Sequence, residues 1–418
     1  MTRWRTYLQN FLKGIWFRAT LFALAGVVLA VAAHLLSSAV PDAITIDLGQ
    51  DAVSPILQIL ASSMLAVTTF SLTAMVSAYS SATQSGTPRS TQLLISDRTS
   101  QNALSTFVGA FAFSIVGIVA LSMQAYSDTG RTLLFLGTLV VIAAVMFTLL
   151  HWISFLTRFG RMADIIDRVE HAAQQAMERY ASDPRLGGRE WIDPPSHATP
   201  VESDHAGFVV RVDVPALQRV AEHGGCEVWV ARRAGARVTV HVPLAYLTGD
   251  VTEELRSAVQ QAFVVAPHRT FEQDPRLGLI ALSEISSRAL SPGINDPGTA
   301  IEVLSAAQRV LSTAMRAANR PPVTCALVHV PLIDPDDMVI DALRPTARDG
   351  AGIVEVAMRV QREIGALISE ADGPWAQALR AQAVDALDRA TLALSYEPDL
   401  REVAQLHATS LTTPRAEF

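Results

Sequence analysis

The chain has 418 residues, of which 50% are hydrophobic and 17% are charged, and its formal net charge is −7. The acidic surplus and the lack of any long Lys/Arg run argue against a nucleic-acid partner. The two cysteines, Cys226 and Cys325, are far apart in sequence and form no C-x-x-C pair. We therefore expect reduced thiols in a cytosolic domain.

Four long, nearly uncharged apolar stretches occupy the first part of the chain. Each approaches or exceeds the roughly 18–20 residues that a helix needs to cross the hydrocarbon core of a bilayer. Backbone groups in lipid must be paired within the segment, so helices are expected. The sequence thus predicts a transmembrane domain at 1–157, embedded in a lipid bilayer. The four predicted helices cover 19–36, 56–79, 103–126 and 132–157.

The basic residues indicate how these spans are oriented. Lys and Arg precede the first stretch, recur at Arg89 and Arg98 between the second and third, and follow the fourth, whereas the first connection is acidic. Basic residues favour the cytoplasmic side of a membrane. We therefore expect both termini in the cytoplasm. Trp152, near the inner edge, is predicted to lie in an aromatic belt at the membrane surface.

The segment after the last span is polar. Residues 158–180 are predicted to form a connecting helix, and a Pro/Gly-rich linker completes the segment 158–200. Short β-like runs with Gly turns then predict a small β-rich subdomain at 201–251. The predicted strands are 208–214, 227–231 and 237–242, with a helix at 215–223.

From 252 to 411 the pattern is mostly helical, and 412–418 is a tail. The predicted fold class is an α-helical membrane domain with four transmembrane helices, followed by a cytoplasmic α+β domain. The apolar faces of the last two helices need partners, which are either a helical bundle within the chain or an oligomer contact. One such face consists of Ala378, Ala381, Val384, Leu387 and Leu392. The predicted helices are 252–262, 275–290, 297–317, 336–344, 353–370, 374–394 and 398–411, with a strand at 323–330.

The least ordinary run, at 288–297, reads Arg-Ala-Leu-Ser-Pro-Gly-Ile-Asn-Asp-Pro. This signature resembles that of a family of bacterial predicted membrane proteins catalogued as domain of unknown function (DUF) twenty-two fifty-four. The resemblance implies four N-terminal spans and a cytoplasmic domain in a multi-pass protein of the bacterial inner membrane. It implies no activity.

Polar residues are dense at the two ends of the helix that precedes the signature. A structural interpretation is a capped turn, with Asp296 capping the next helix and Glu284 pairing with Arg288 four residues later. The other interpretation is a binding or catalytic site, and both stay open. The candidate residues are Arg269, Gln273, Asp274, Glu284, Arg288, Asn295 and Asp296.

The sequence contains no recognisable catalytic, nucleotide-binding or metal-binding motif. We therefore predict neither an enzyme nor a cofactor, and no catalytic, cofactor-binding or metal-binding residue is proposed. The apolar stretches also contain no Asp, Glu, Lys or Arg. Proton-driven carriers usually need an intramembrane relay of ionisable groups, so such a transporter is disfavoured.

The second span has small hydroxyl residues along one face. Such a stripe serves close helix packing, or it lines a water-filled path shared by several subunits. Our hypothesis is a homo-oligomeric, channel-like, passive conduit for ions or small solutes, with a cytoplasmic regulatory domain. The alternative is a membrane-tethered sensor or scaffold that binds a cytosolic ligand or protein through residues 269–300. The predicted pore-lining residues are Ser62, Thr69, Thr73, Ser77 and Ser80.

Overall fold

The structure is a computed structural model that describes residues 20–21, 23–25, 27–28, 53–95, 98–123, 128–316 and 322–412. It contains two compact units. The first comprises Met1–Gln84 with Thr91–Asp164, and the second comprises Ser85–Ser90 with Ile165–Phe418. The predicted first span, 19–36, falls mostly outside the described residues, and its seven described positions are helical.

The first unit contains long apolar helices. Three of them hold stretches long and apolar enough to cross a membrane, at Val53–Ser80, Thr99–Ser122 and Thr129–Leu156. They overlap the second, third and fourth predicted spans. Phe107 and Phe113 are buried between the helices. The helices are α1 (Val53–Ser85), α2 (Pro88–Ile95), α3 (Arg98–Ser122) and α4 (Asp128–Leu156).

Trp152 is buried within the first unit. Its side chain is only 1% exposed and belongs to the apolar cluster of the first unit. Its ring stacks on Phe155 with a centroid separation of 5.3 Å. The ring of Trp152 is therefore turned toward the other helices of the first unit, and its place in an aromatic belt stays a prediction.

The connecting helix begins later than predicted. Helix α4 ends at Leu156, and α5 runs from Met162 to Ser182. Between them lies a turn in which Gly160 has a φ of 82°. Glycine adopts this left-handed conformation without steric cost and commonly follows the end of a helix. The helix predicted to begin at residue 158 therefore begins four residues later in the structure, at Met162.

A five-stranded mixed sheet forms the centre of the second unit. Its strand order is β1-β8-β4-β6-β2, and β8 runs parallel to both β1 and β4. One strand lies in the segment predicted as a linker, a second begins there, and a third is the strand predicted at 323–330 within the mostly helical region. The β-rich part is therefore not confined to 201–251. The strands are β1 (Gly188–Glu190), β2 (Thr199–Glu202), β4 (Val228–Val230), β6 (Pro243–Leu247) and β8 (Cys325–Val330).

A second sheet has three antiparallel strands in the order β5-β3-β7. Its strands are β3 (Gly207–Val212), β5 (Arg237–Val238) and β7 (Phe263–Ala266), and two helices, α6 (Val214–Gly224) and α7 (Glu253–Gln261), lie between the strands in sequence. Asp213 caps α6 by accepting a hydrogen bond from the Ala216 backbone N–H, which ends β3 before the predicted boundary at 214. Cys226 and Cys325 are free thiols buried in the same core.

The remaining helices lie close to their predicted positions. The exception is the one predicted at 336–344, which continues through Pro345 to Asp349. The predicted apolar face of the helix Gly373–Ala393 is also only partly correct, since Val384 is 47% and Leu392 is 90% exposed, whereas Ala383 is buried. The helices are α8 (Pro275–Ala289), α9 (Pro297–Met315), α10 (Pro335–Asp349), α11 (Val354–Glu370), α12 (Gly373–Ala393) and α13 (Glu397–Thr412).

Candidate functional site

The N-terminal end of α8 contains a buried ion pair. The guanidinium of Arg269 donates two hydrogen bonds to the carboxylate of Asp274, at 2.6 and 2.9 Å. The side chain of Asp274 is 2% exposed and that of Arg269 is 15% exposed. The same carboxylate accepts a hydrogen bond from the Leu277 backbone N–H and so caps the helix. Both predicted residues therefore hold the start of α8 in place.

Gln273 connects this helix end to the three-stranded sheet. Its side-chain oxygen accepts a hydrogen bond from the Val212 backbone N–H at 2.9 Å, and its amide nitrogen donates to the Val212 carbonyl at 3.3 Å. Gln273 thus pairs with the backbone of β3 as a neighbouring strand would. These two hydrogen bonds give Gln273 a structural role in the fold.

The Asp274 carboxylate is enclosed by the turn that precedes β5. Gly235 has a φ of 94°, and a Cβ atom placed on it would lie 2.7 Å from a carboxylate oxygen of Asp274. A second charge network lies next to the pair. Arg276 contacts Asp337 at 2.5 Å and Asp341 at 2.6 Å, and both carboxylates belong to α10.

Glu284 pairs with a different arginine from the one predicted. Its carboxylate forms an ion pair with Arg89 of α2, within the Ser85–Ser90 segment that belongs to the second unit. Burial, followed by the nearby charge of Arg269, lowers the pKa of Arg89. The expected pairing of Glu284 with Arg288 is thereby corrected. The residues between two candidate spans contact the helix that precedes the signature.

The signature turn itself is mostly exposed. Asn295 adopts a φ of 51°, a left-handed conformation that asparagine tolerates better than most residues. Asp296 caps α9, accepting hydrogen bonds from the Thr299 hydroxyl at 2.6 Å and the Thr299 backbone N–H at 3.1 Å. These hydrogen bonds lower the pKa of the Asp296 carboxyl. The predicted cap is present.

The candidate residues do not form a single cluster. Helix α8 has 15 residues, which corresponds to a length of about 22 Å. Arg269 and Asp274 lie at one end, whereas Asn295 and Asp296 lie beyond the other. One small ligand cannot contact both groups. Sequence reasoning also missed Arg89 as a partner of this region, because nothing local distinguishes it from any other basic loop residue.

The hydroxyl stripe of the second predicted span lies on one exposed face of α1. Ser71 and Met75, on the opposite face, are 1% and 6% exposed. Several stripe hydroxyls donate to carbonyls of the same helix, such as Thr69 to Leu65 at 2.9 Å and Thr73 to Thr69 at 3.0 Å. The exposed positions are Ser62, Thr69, Thr73, Ser77 and Ser80.

Within the described part of the chain, no group of three or more His, Cys, Asp or Glu side chains is placed to hold a metal ion. The apolar helices and the mixed α/β unit define a membrane protein with a large polar region. The chain belongs to the family described as predicted membrane protein (DUF2254), whose profile matches residues 13–365.

Three curated relatives are similar to about half of this chain. They are uncharacterised proteins of Mycobacterium bovis and of two strains of Mycobacterium tuberculosis, each 25% identical over 232 residues. The matched region covers 52% of this chain and 44% of each relative. The chain therefore spans less than half the length of these relatives. No solved structure matches.

Proposed function

We propose that copies of this chain assemble in a bacterial inner membrane into a passive conduit for ions or small solutes. In this proposal both termini are cytoplasmic, and the second unit regulates the path. The observation that carries the proposal is the hydroxyl stripe of α1, which is exposed along its length on the face opposite the buried Ser71 and Met75.

The chemistry of the stripe supports a shared, weakly polar path. Hydroxyl oxygens that donate their hydrogen to their own helix still offer lone pairs to water or to a cation. The candidate spans Val53–Ser80 and Thr99–Ser122 contain no Asp, Glu, Lys or Arg, which suits conduction without proton coupling. Pores made of uncharged groups conduct because each site binds its ion weakly enough to release it.

The ion pair between Arg89 and Glu284 supports the regulatory part of the proposal. Arg89 lies on α2, immediately after the stripe-bearing helix in the chain, and Glu284 lies on α8. A conformational change of α8 would therefore act on the segment that follows the stripe. One oxygen of Glu284 is buried without a hydrogen-bond partner among the described residues, and the other oxygen forms the ion pair with Arg89.

Cysteine accessibility tests the path. In a background with Cys226 and Cys325 replaced by alanine, cysteines at Thr69 and Thr73 should react with small hydrophilic thiol reagents in intact membranes. A cysteine at Met75, which is 6% exposed, is the matched control and should not react. Thr73→Leu should reduce flux through proteoliposomes while the protein still assembles. Proteoliposomes that pass no common ion or small solute would rule out the conduit.

Charge reversal tests the regulation. Arg89→Glu should alter flux, and the double variant Arg89→Glu with Glu284→Arg should restore it. Arg256→Glu is the control, because the only described ion pair of Arg256 is with an exposed carboxylate, Glu253, at 3.6 Å, and its other contact is a hydrogen bond to the Pro200 carbonyl at 3.3 Å. Equal flux in all four proteins would contradict a regulatory contact while leaving the conduit intact.

A second candidate function is a membrane-tethered sensor or scaffold. The observation that favours it is the exposed signature turn, where Ile294 is 47% exposed and Asn295 has a positive φ. Exposed positions in sparsely populated backbone conformations cluster at binding sites. A photoreactive residue at position 294 should then crosslink a cytosolic component, and a chain that conducts but gives no crosslink would exclude this function.

A further inference from the structure

A cluster of cationic and hydroxyl groups lies where α5 ends. The guanidinium of Arg233 lies over the ring of Tyr180, 5.5 Å from its centroid. One of its terminal nitrogens donates to the carbonyls of Pro184 and Pro331, at 2.6 and 2.5 Å. Burial lowers the pKa of Arg233. These bonds orient the arginine head group by contacts with two uncharged carbonyl groups.

The second arginine of the cluster is Arg185. Its Nε is buried and has no hydrogen-bond partner among the described residues. Its only described ion pair is a 3.4 Å contact with Glu190, whose side chain is 79% exposed. A buried N–H without an acceptor is unfavourable, so an oxygen atom that reached this edge of the guanidinium would supply the missing hydrogen bond. The side chain is 25% exposed, which leaves a route from solvent.

Tyr180 completes the cluster. Its hydroxyl oxygen accepts a hydrogen bond from the Ile333 backbone N–H at 3.2 Å, so its own hydrogen is still available for donation. Burial raises the pKa of this phenol, which keeps that hydrogen in place. The carboxylate that acts electrostatically on Arg233, Asp183, accepts a hydrogen bond from the Gly187 backbone N–H at 2.8 Å.

We infer that Tyr180, Arg185 and Arg233 form a binding site for an oxyanion, and that a phosphate group fits it best. Both arginines act electrostatically on Tyr180 and on each other, so two positive charges and a neutral hydroxyl donor lie close together, with one carboxylate, that of Asp183, also near Arg233. Guanidinium groups bind phosphate oxygens with charge-assisted hydrogen bonds in a fixed fork geometry. The phosphate group belongs either to a small solute or to a lipid headgroup.

Equilibrium dialysis of the full chain with radiolabelled inorganic phosphate tests the site. In maltoside detergent, which contains no phosphate, we expect one phosphate bound per chain. Arg185→Gln should weaken binding at least tenfold, and Tyr180→Phe should weaken it about threefold to tenfold, as loss of one hydrogen bond does. Arg219→Gln, which removes an exposed arginine of α6, should bind as the parent does. Circular dichroism checks that each variant is folded.

The same measurement in phospholipid nanodiscs distinguishes the two sources of phosphate. Retained binding of inorganic phosphate there indicates a soluble ligand, and loss of binding only in the nanodiscs indicates that a lipid headgroup occupies the site. Absence of phosphate binding in detergent, or equal binding by the parent and a folded Arg185→Gln variant, overturns the inference.

Discussion

Breaking the ion pair at the start of α8 should strongly destabilise the second unit. In Arg269→Met the apolar stem of the side chain is kept, but both hydrogen bonds to Asp274, at 2.6 and 2.9 Å, are lost. The carboxylate, 2% exposed, then retains the hydrogen bond from the Leu277 backbone N–H. It cannot turn toward water, because Gly235 lies against it.

The size of the effect follows from this burial. Removing one partner of a buried ion pair typically costs about 3–5 kcal/mol. Because Arg269 is 15% exposed, water can replace some of the hydrogen bonding that the Asp274 carboxylate loses. We therefore expect a destabilisation at the lower end of that range, about 3 kcal/mol. In a unit of this size such a loss lowers the melting temperature by about 6–12 °C.

Thermal unfolding followed by circular dichroism on the full chain in detergent measures the shift. The companion variant Asp274→Asn removes the charge but keeps an oxygen to cap α8. The double variant should therefore be more stable than the sum of the two single effects predicts, because the uncompensated carboxylate is gone. Additivity of the two single effects within about 0.5 kcal/mol would refute the reasoning, since residues without direct coupling behave in that way.

Three further predictions concern the same unit. Gly278→Ala should destabilise it by about 1–3 kcal/mol, seen as a lower melting temperature, because the new Cβ would lie 2.3 Å from the Cβ of Ala173; an unchanged melting temperature would contradict this packing. Gly235→Ala should destabilise the unit by a comparable amount, because Gly235 has a φ of 94° and lies against Asp274. Gly249→Ala should destabilise it less, since Gly249 also has a positive φ but has open space around it. Asp296→Ala should cost about 0.5–2 kcal/mol as the loss of a helix cap. The pKa of Asp296 is lowered in the folded chain. The stability that Asp296 contributes is therefore complete above about pH 4 and is lost as the pH falls through the folded pKa. A melting-temperature difference between parent and variant that persists at lower pH would oppose this assignment.

Local chemistry was sufficient to predict most of the described helices of this chain, with α2 as an exception. Asp274 and Asp296 each stand before a proline, and both cap the helix that follows. A capping side chain bonds only to the next turn of the chain, and proline fixes its own φ. Both effects act over three or four residues. The apolar stretches were equally clear, because hydropathy and length decide whether a helix can cross a bilayer.

The sheets and the charge pairs depended on tertiary structure. Strand β4 pairs with β8, about a hundred residues later in the chain, and β1 lies in a segment that reads as a linker. Whether such a short run becomes a strand depends on its neighbours in the sheet rather than on its own residues. Glu284 likewise had Arg288 four residues away, but it pairs with Arg89. An ion pair between partly exposed side chains is worth only about 0–1 kcal/mol, so helix spacing alone cannot determine the partner, and the packing of distant segments decides it.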